Sequence, residues 1–438
     1  MAKNILPAII AVCSFFSASA QIVNIPDANF KAYLTGNRQI NLNGDTEIQT
    51  SEAMAYAGDF SCIALRITNI TGIEAFPNLR NVNFLGNEIT SVDLSQNTSL
   101  VAAIFHRNQI NSINVNGAGN LAQLGLNSNN ITTIDISHNP NLRSVSCNYN
   151  PISQIDVTQN PELDYLSCSF TSVSTIDLSQ NPNLEYLYCE GLQLTSLDVS
   201  DNPELLTLYA PNNNLAVLNV NNNTALRQLI ISSNHISILD ISNNLALREF
   251  SCQNNQISTL NVHNHSELEY VGLDNNLFTT LDFSDNHRLI SFNCSESPML
   301  AHLNLKNGNN SNITQYNMRL VSNPNLYCIE VDDPAFSTST WTERDAQVNF
   351  SENCTNSIEQ STLQNMVIYP NPVNHTLFLE LPNDITPDHI TITDISGKKI
   401  YSQSQYNNKI ETTGLATGMY MLTATANGKI FNTKFIKQ

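Results

Sequence analysis

Several sets of side chains in this sequence have types and spacings that could do chemistry. The first is the segment Asn41-Leu42-Asn43-Gly44-Asp45-Thr46-Glu47-Ile48-Gln49-Thr50-Ser51-Glu52. Laid on a calcium-binding loop, Asn41, Asn43 and Asp45 take the first three ligand places, Ile48 the apolar place, and Glu52 the bidentate place at the end. Two residues depart from that pattern: Asn41 stands where an Asp is usual, and Thr46 where the turn wants Gly. The loop therefore has two readings, a calcium site or a polar loop in which such a site has decayed. The second set is a column of carboxylates, Asp93, Asp135, Asp156, Asp177, Asp198, Asp240 and Asp282, which recur at one constant spacing or twice it. Stacked on strands ~4.8 Å apart, neighbouring charges would repel by roughly 1 kcal/mol even in water. The expected relief is local, from Ser hydroxyls and backbone amides two residues on, such as Ser137 and Ser179. Bound cations are the alternative. The third set is aromatic: Tyr149, Tyr165, Phe170, Tyr186, Tyr188 and Tyr209. Exposed tyrosines bring contact area and a polar tip at low entropic cost, so a cluster of them is a candidate ligand surface. Shielding of a sheet by stacked rings is the plainer reading.

No constellation for catalysis accompanies these sets. The sequence has no G-x-S-x-G, no H-E-x-x-H and no phosphate loop. The histidines are scattered, and His263 and His265, in one turn, are expected on a solvated face. The chain is read as not an enzyme. Of nine cysteines, Cys147, Cys168, Cys189, Cys252 and Cys294 share one place in a repeat and read as small buried hydrophobes. Tetrahedral zinc would need convergent Cys or His ligands, which a line of thiols does not supply. Cys328 and Cys354 flank the end of the repeats and, with the secretory signal described below, are expected to form a disulfide.

What positions these residues is a column of eleven leucines. Leu79, Leu100, Leu121, Leu142, Leu163, Leu184, Leu205, Leu226, Leu247, Leu268 and Leu289 recur at a constant 21-residue period. Counting from each leucine, apolar residues return at offsets 3, 5, 10, 13 and 15, with Asn often at offset 8. The unit from Leu142 reads Val145, Cys147, Asn150, Ile152, Ile155, Val157. So short a period means stacked supersecondary units, each completing the core of its neighbours. The unit is nearly doubled, since both halves read as a short alternating strand and an Asn turn, as in Ile176-Asp177-Leu178-Ser179-Gln180-Asn181-Pro182-Asn183-Leu184. Two short strands per coil, stacked into two parallel sheets, are expected. The offset-8 Asn is expected to bond backbone groups of its own turn and of the next coil, which would otherwise be buried unpaired. Thr171, Leu192 and Ser297 replace it in three units, and after Leu289 the spacing slips by one, to Leu303 and Leu305.

This unit resembles leucine-rich repeats of the bacterial subclass with nested 21-residue repeats. The resemblance implies a solenoid that binds a protein or glycan partner. A structural cell-surface component without a dedicated ligand is the alternative.

The flanks give the destination. Lys3, the apolar run from Ile5 to Phe16 and Ala18-Ser19-Ala20 read as a secretory signal removed before Gln21. That run is too short to span a bilayer, and no other stretch reaches its length, so no transmembrane segment is expected in the mature chain. Residues 21–62 read as an N-terminal cap, with a helix over Pro26–Leu34 whose first turn holds Pro26 and a second short helix near Ser51. Residues 63–305 form the solenoid and 306–354 a C-terminal cap containing Trp341, which is expected to pack over the last coil. Residues 355–365 are polar, without periodicity, and read as a linker.

From 366 to 438 a different pattern begins. Val367-Ile368-Tyr369-Pro370-Asn371-Pro372 is followed by alternating runs at Thr376–Leu381, Ile390–Ile395, Tyr420–Ala426 and Ile430–Ile436. Turn signals at Ser396-Gly397-Lys398 and Asn427-Gly428 separate them. This spells a small β-sandwich. The Tyr-Pro-Asn-Pro opening, Asp394 to Lys398, Leu415 to Tyr420 and Lys434-Phe435-Ile436 also resemble the type A C-terminal sorting domain of the bacterial type IX secretion system. The resemblance implies recognition by that machinery and transfer across the outer membrane. It further implies removal of the domain, with the cargo attached to surface glycolipid or released. The expected fold is thus mostly β: a leucine-rich-repeat solenoid with a short helical N-terminal cap, then a small C-terminal β-sandwich. A formal charge of −19 argues against nucleic acid and anionic membrane surfaces as partners. No cofactor is implied apart from the calcium reading of the loop.

Overall fold

The computed structural model describes residues 21–354 and, of 366–438, all but 382–384, 395–397, 405, 407–408 and 427–428. The expected signal segment, the linker and parts of both turns in the last domain, Ser396-Gly397 and Asn427-Gly428, lie outside the described residues. Two units result, one through Cys354 and one from Thr355 onward.

In the first unit each leucine of the column is fully buried, and the residues at offsets 2 to 4 form a short strand. Thirteen such strands, from Phe60–Ser61 to Met318–Arg319, stack into one parallel sheet. Register advances by one repeat per coil, as in Leu166 beside Leu187 and Leu187 beside Leu208. The second half of the coil departs from expectation. It forms ladders only at Ser91–Asp93 with Ser112–Asn114, and in a four-stranded sheet of Thr280–Asp282, His302–Asn304, Cys328–Glu330 and Asn349–Ser351. Between these, side chains rather than backbone ladders carry the link from coil to coil.

Two asparagine columns supply that link. At offset 8, Asn150 donates from Nδ2 to Leu126 O at 2.9 Å and Cys147 O at 3.0 Å, and its Oδ1 accepts from Ile131 N at 3.1 Å. Its inter-coil partners lie in the preceding coil, not the next one as expected. The direction follows from the turn, which aims the amide back toward carbonyls the previous coil leaves open. At offset 18, Asn139, Asn160, Asn181, Asn202, Asn223, Asn244 and Asn286 are fully buried. Asn181 Nδ2 donates to Val157 O at 3.0 Å and Asn160 O at 2.9 Å. His265 takes this place in its coil. It is 2% exposed, and its Nε2 bonds Ile241 O at 3.0 Å. The expectation of a solvated His265 is therefore corrected; His263, exposed and 3.1 Å from Asp285, fits it.

The caps close both ends of the core. Helix α1 (Ala28–Gly36) starts after Asp27, whose Oδ1 accepts from the amides of Asn29 and Phe30. Pro26 stands before this cap and not in the first turn, because the carboxylate claims the cap position. Asp27 Oδ2 accepts from Thr68 N and Oγ1, both at 2.8 Å, so one side chain fastens the helix to the first coil. Burial raises the Asp27 carboxyl, but its hydrogen bonds from Phe30, Thr68 and Asn69 outweigh that and leave it below the ordinary carboxylate value. Phe30 packs edge-on against Phe60 and Phe84. Helix α2 (Thr50–Ala55) follows.

At the other end residues 306–354 do not replace the coils but continue them. Phe292 pairs with Met318 and Leu303 with Ile329, and Val321 N donates to Ser295 Oγ, a 26-residue step where the other coils take 21. Helix α3 (Pro334–Thr340) then carries Trp341 over the core, fully buried, its Nε1 donating to Ile313 O at 2.9 Å. Cys328 and Cys354 are disulfide-bonded.

The second unit is a sandwich of two antiparallel sheets. One is built from Val367–Tyr369, Thr376–Glu380 and Ile410–Glu411, the other from Lys399–Ser404, His389–Asp394, Gly418–Ala426 and Lys429–Lys437. Leu377, Ile390, Leu422 and Phe435 meet in its core. The motif residues hold it together: Asn371 Oδ1 accepts from Ile436 N at 2.8 Å, and Tyr420 Oη donates to Ala416 O at 2.9 Å.

Candidate functional site

The strands of the long sheet are short, so each coil presents only offsets 2 and 4 on the outer face, followed by a turn at offsets 6 and 7. The sequence-predicted aromatics occupy three of these places. Offset 2 carries Tyr165 and Tyr186, and offset 4 carries Tyr188 and Tyr209. Their rings form a run: Tyr165 to Tyr186 at 6.2 Å between centroids, Tyr165 to Tyr188 at 5.5 Å and Tyr188 to Tyr209 at 5.8 Å. Burial, and after it the neighbouring hydroxyls of Tyr165 and Tyr186, push the Tyr188 phenol up. Burial, and after it the Glu190 carboxylate, do the same to Tyr209. Both stay neutral hydroxyls at physiological pH.

Tyr149 and Phe170 stand in the turn, at offset 7, and stack on each other at 4.8 Å with planes 12° apart. They are 58% and 40% exposed. Their backbone is left-handed, φ 56° for both, as it is at offset 7 in nearly every coil. Several other coils fill this position with Gly or Asn, namely Gly86, Gly191, Asn212, Asn254 and Asn275, residues that tolerate positive φ; Arg107, Ser128, Ser233 and Glu296 take it elsewhere. A bulky side chain there costs roughly 1–2 kcal/mol. Two adjacent aromatics at such a position therefore work against backbone preference. Gly191 makes room for the second ring, since a Cβ there would stand 3.0 Å from the Phe170 ring.

The calcium-loop residues are brought together but turn their oxygens on the loop itself. Asn41 Oδ1 accepts from Gly44 N, Asn43 Oδ1 from Asp45 N, and Asp45 Oδ1 from Glu47 N. Glu52 accepts from Leu42 N at 2.8 Å and Gln49 N at 3.0 Å, closing the loop and capping α2. Among the described residues no group of three or more His, Cys, Asp or Glu side chains is arranged to hold a metal ion. The carboxylate column finds its local partners: Asp135 Oδ1 accepts from Ser137 N and Oγ, and Asp156 Oδ1 from Thr158 N and Oγ1. The Ser137 bonds hold the Asp135 carboxyl below the usual range, and those of Thr158 do so for Asp156. The five repeat cysteines are buried, and burial alone pushes the Cys147 and Cys189 thiols up to about 12.

One feature of this face lay beyond the sequence reading. Past Tyr209 the sheet opens into a polar cleft of about 490 Å³ bordered by Ser232, Ser251, Gln253, Asp274, Ser295 and Arg319. The small residues at offset 4, Ser251 and Gly272, were the available signal.

Comparison with known proteins agrees with this architecture. Residues 367–438 match the secretion system C-terminal sorting domain. Among solved structures, the functional domain of InlJ from Listeria monocytogenes, described as including a cysteine ladder, is similar with a TM-score of 0.60 at 20% identity, covering 96% of this chain and 100% of that one. An internalin, InlF, from the same organism is similar with a TM-score of 0.52 at 20% identity, covering 77% of this chain and 100% of that one. Comparison with curated proteins gave no match. No helix among the described residues is long and apolar enough to cross a membrane. The chain is a leucine-rich-repeat solenoid carrying a secretion system C-terminal sorting domain, which marks it for secretion or for the outer-membrane surface.

Proposed function

We propose that the protein is an exported, non-enzymatic binding protein whose solenoid recognises a protein or glycan partner through the aromatic face. The observation that carries this reading is the exposed Tyr149–Phe170 stack on left-handed backbone. Strain of that backbone roughly offsets what the ring stack contributes, so the fold gains little from rings that solvent reaches, whereas a ligand would meet their open faces. The tyrosine run beside it adds four hydroxyl-tipped rings from three further strands, Tyr165–Ser167, Tyr186–Tyr188 and Thr207–Tyr209. Sorting to the exterior puts this face where partners are met. The test is a glycan array and a pull-down from host extract with the mature chain. Replacing Tyr186, Tyr188 and Tyr209 by Ser should leave the circular dichroism spectrum intact and abolish binding. Unchanged affinity in that variant would sink the proposal and favour a structural surface component.

A further inference from the structure

The turns at offset 6 are tied across coils by a side-chain ladder. Asn127 N donates to His106 Nδ1, Asn148 N to Asn127 Oδ1, Ser169 N to Asn148 Oδ1, and Glu190 N to Ser169 Oγ, at 2.7–3.0 Å. The ladder stops at Pro211, which has neither an amide hydrogen to give nor a side-chain acceptor to offer. It resumes where Ser295 N donates to Asp274 Oδ1 at 2.6 Å. The interval between is the polar cleft. Among the described residues nothing accepts from the backbone amides of Ser232 and Gln253. Their side chains bond each other instead: Ser232 Oγ and Ser251 Oγ both donate to Gln253 Oε1. Gly272 allows this, because a Cβ there would stand 2.0 Å from Gln253 Nε2.

The lining carries more carboxylates, Glu190, Asp274 and Glu296, than cations, Arg319 alone, and so repels an acidic glycan. The remaining polar groups, Arg319 and two free amides among them, are hydrogen-bond donors and acceptors without a carboxylate's charge. An apolar anchor from a protein partner would meet mostly hydroxyl, amide and carboxylate groups. What such a mixture of donors and acceptors suits is a group that both gives and takes hydrogen bonds, a hydroxyl. Tyr209, at the rim, offers a ring on which the apolar side of a pyranose can rest. The volume lies within the range of ligand sites.

We propose that this cleft is a sugar-binding subsite taking the end of a neutral glycan, with Tyr209 as the stacking platform and Gln253, Ser232 and Asp274 pairing with ring hydroxyls. The proposal rests on the binding-protein reading above and narrows its partner to a glycan. The probes are neutral hexose and N-acetylhexosamine oligosaccharides, printed beside sialylated and sulfated ones and a polylysine peptide, with the full mature chain as analyte. Binding confined to neutral oligosaccharides is expected. Gly272→Ala, which displaces the flexible end of Gln253 and crowds the Ser251 hydroxyl, and Gln253→Ala should each weaken it at least tenfold, with melting temperatures unchanged. Ser146→Ala, on the same face outside the cleft, should leave it unaltered. Binding to acidic glycans or polylysine alone, no glycan binding at all, or equal binding by the cleft variants would overturn the proposal. If the wild type captures a protein and the tyrosine triple variant does not, the wider reading stands although the sugar subsite fails.

Discussion

Replacing His265 by Asn should stabilise the protein, and the gain should grow as the solution becomes acidic. His265 fills a place where Asn244 and Asn286, in the adjoining coils, are fully buried. Asn286 Nδ2 donates to two carbonyls of the preceding coil, Val262 O at 3.0 Å and His265 O at 2.8 Å. The imidazole reaches only one, Ile241 O. Each side chain leaves one buried atom unpaired, Oδ1 for the asparagines and Nδ1 for His265, so that cost cancels. The substitution should therefore gain one buried hydrogen bond, about 1 kcal/mol. With ~2.1 cal/mol/K per residue over roughly 330 residues, that corresponds to a rise of about 1.5 °C in melting temperature. Burial pulls the His265 imidazole below its ordinary value, and the Ile241 carbonyl only partly restores it. Its folded-state pKa is thus depressed. The neutral ring contributes stability above the unfolded value near 6.5, and this is lost as pH falls toward the folded value. The asparagine side chain would not titrate. Urea unfolding followed by circular dichroism at pH 7.5 and pH 5.5 measures both effects. A destabilised variant, or a difference from wild type that does not widen at pH 5.5, would refute the reasoning.

Two other outcomes follow from the same geometry. Reducing the Cys328–Cys354 disulfide, which closes a loop of 26 residues, should destabilise the C-terminal coils by about 3.5 kcal/mol by loop entropy. Fluorescence of the buried Trp341 inside that loop reads the change, and a loss under about 1 kcal/mol would contradict the loop-entropy account. Replacing Phe170 by Asn relieves a left-handed aromatic, roughly 1–2 kcal/mol, and gives up a ring stack worth about 0.5–1.5 kcal/mol. Thermal melting should stay within about 1 kcal/mol of wild type, because these two contributions oppose each other, while ligand binding falls. A loss beyond about 2 kcal/mol, more than the ring stack alone can supply, would mean that the ring serves the fold.

The repeat made much of this legible in advance. A side chain that recurs once per repeat must face the same way in each coil, so Leu142, Cys147 and Asn150 could be placed inside from spacing alone. The same logic put Tyr165, Tyr186, Tyr188 and Tyr209 on the outer face. It failed where a residue type misled. His265 looks polar and exposed, but it stands in a column whose buried role belongs to Asn. It failed also for residues 306–354, where one longer coil hides the continuation of the sheets from a search for the regular period. Ligand types alone carry the calcium pattern at Asn41 to Glu52, whereas the bonding of these residues to one another depends on how the loop closes on α2.

By itself, then, the sequence determined the stack, its period, its buried columns and the sorting domain that carries it outward, because each depends on local spacing or on a contiguous motif. The tertiary structure decided what lies between coils. Whether an Asn amide reaches back or forward, and whether the second half of a coil forms a ladder, depends on the offset between neighbouring turns. So does the gap that Pro211 leaves in a chain of amides. That offset is set when coils pack together, and no single repeat unit contains it.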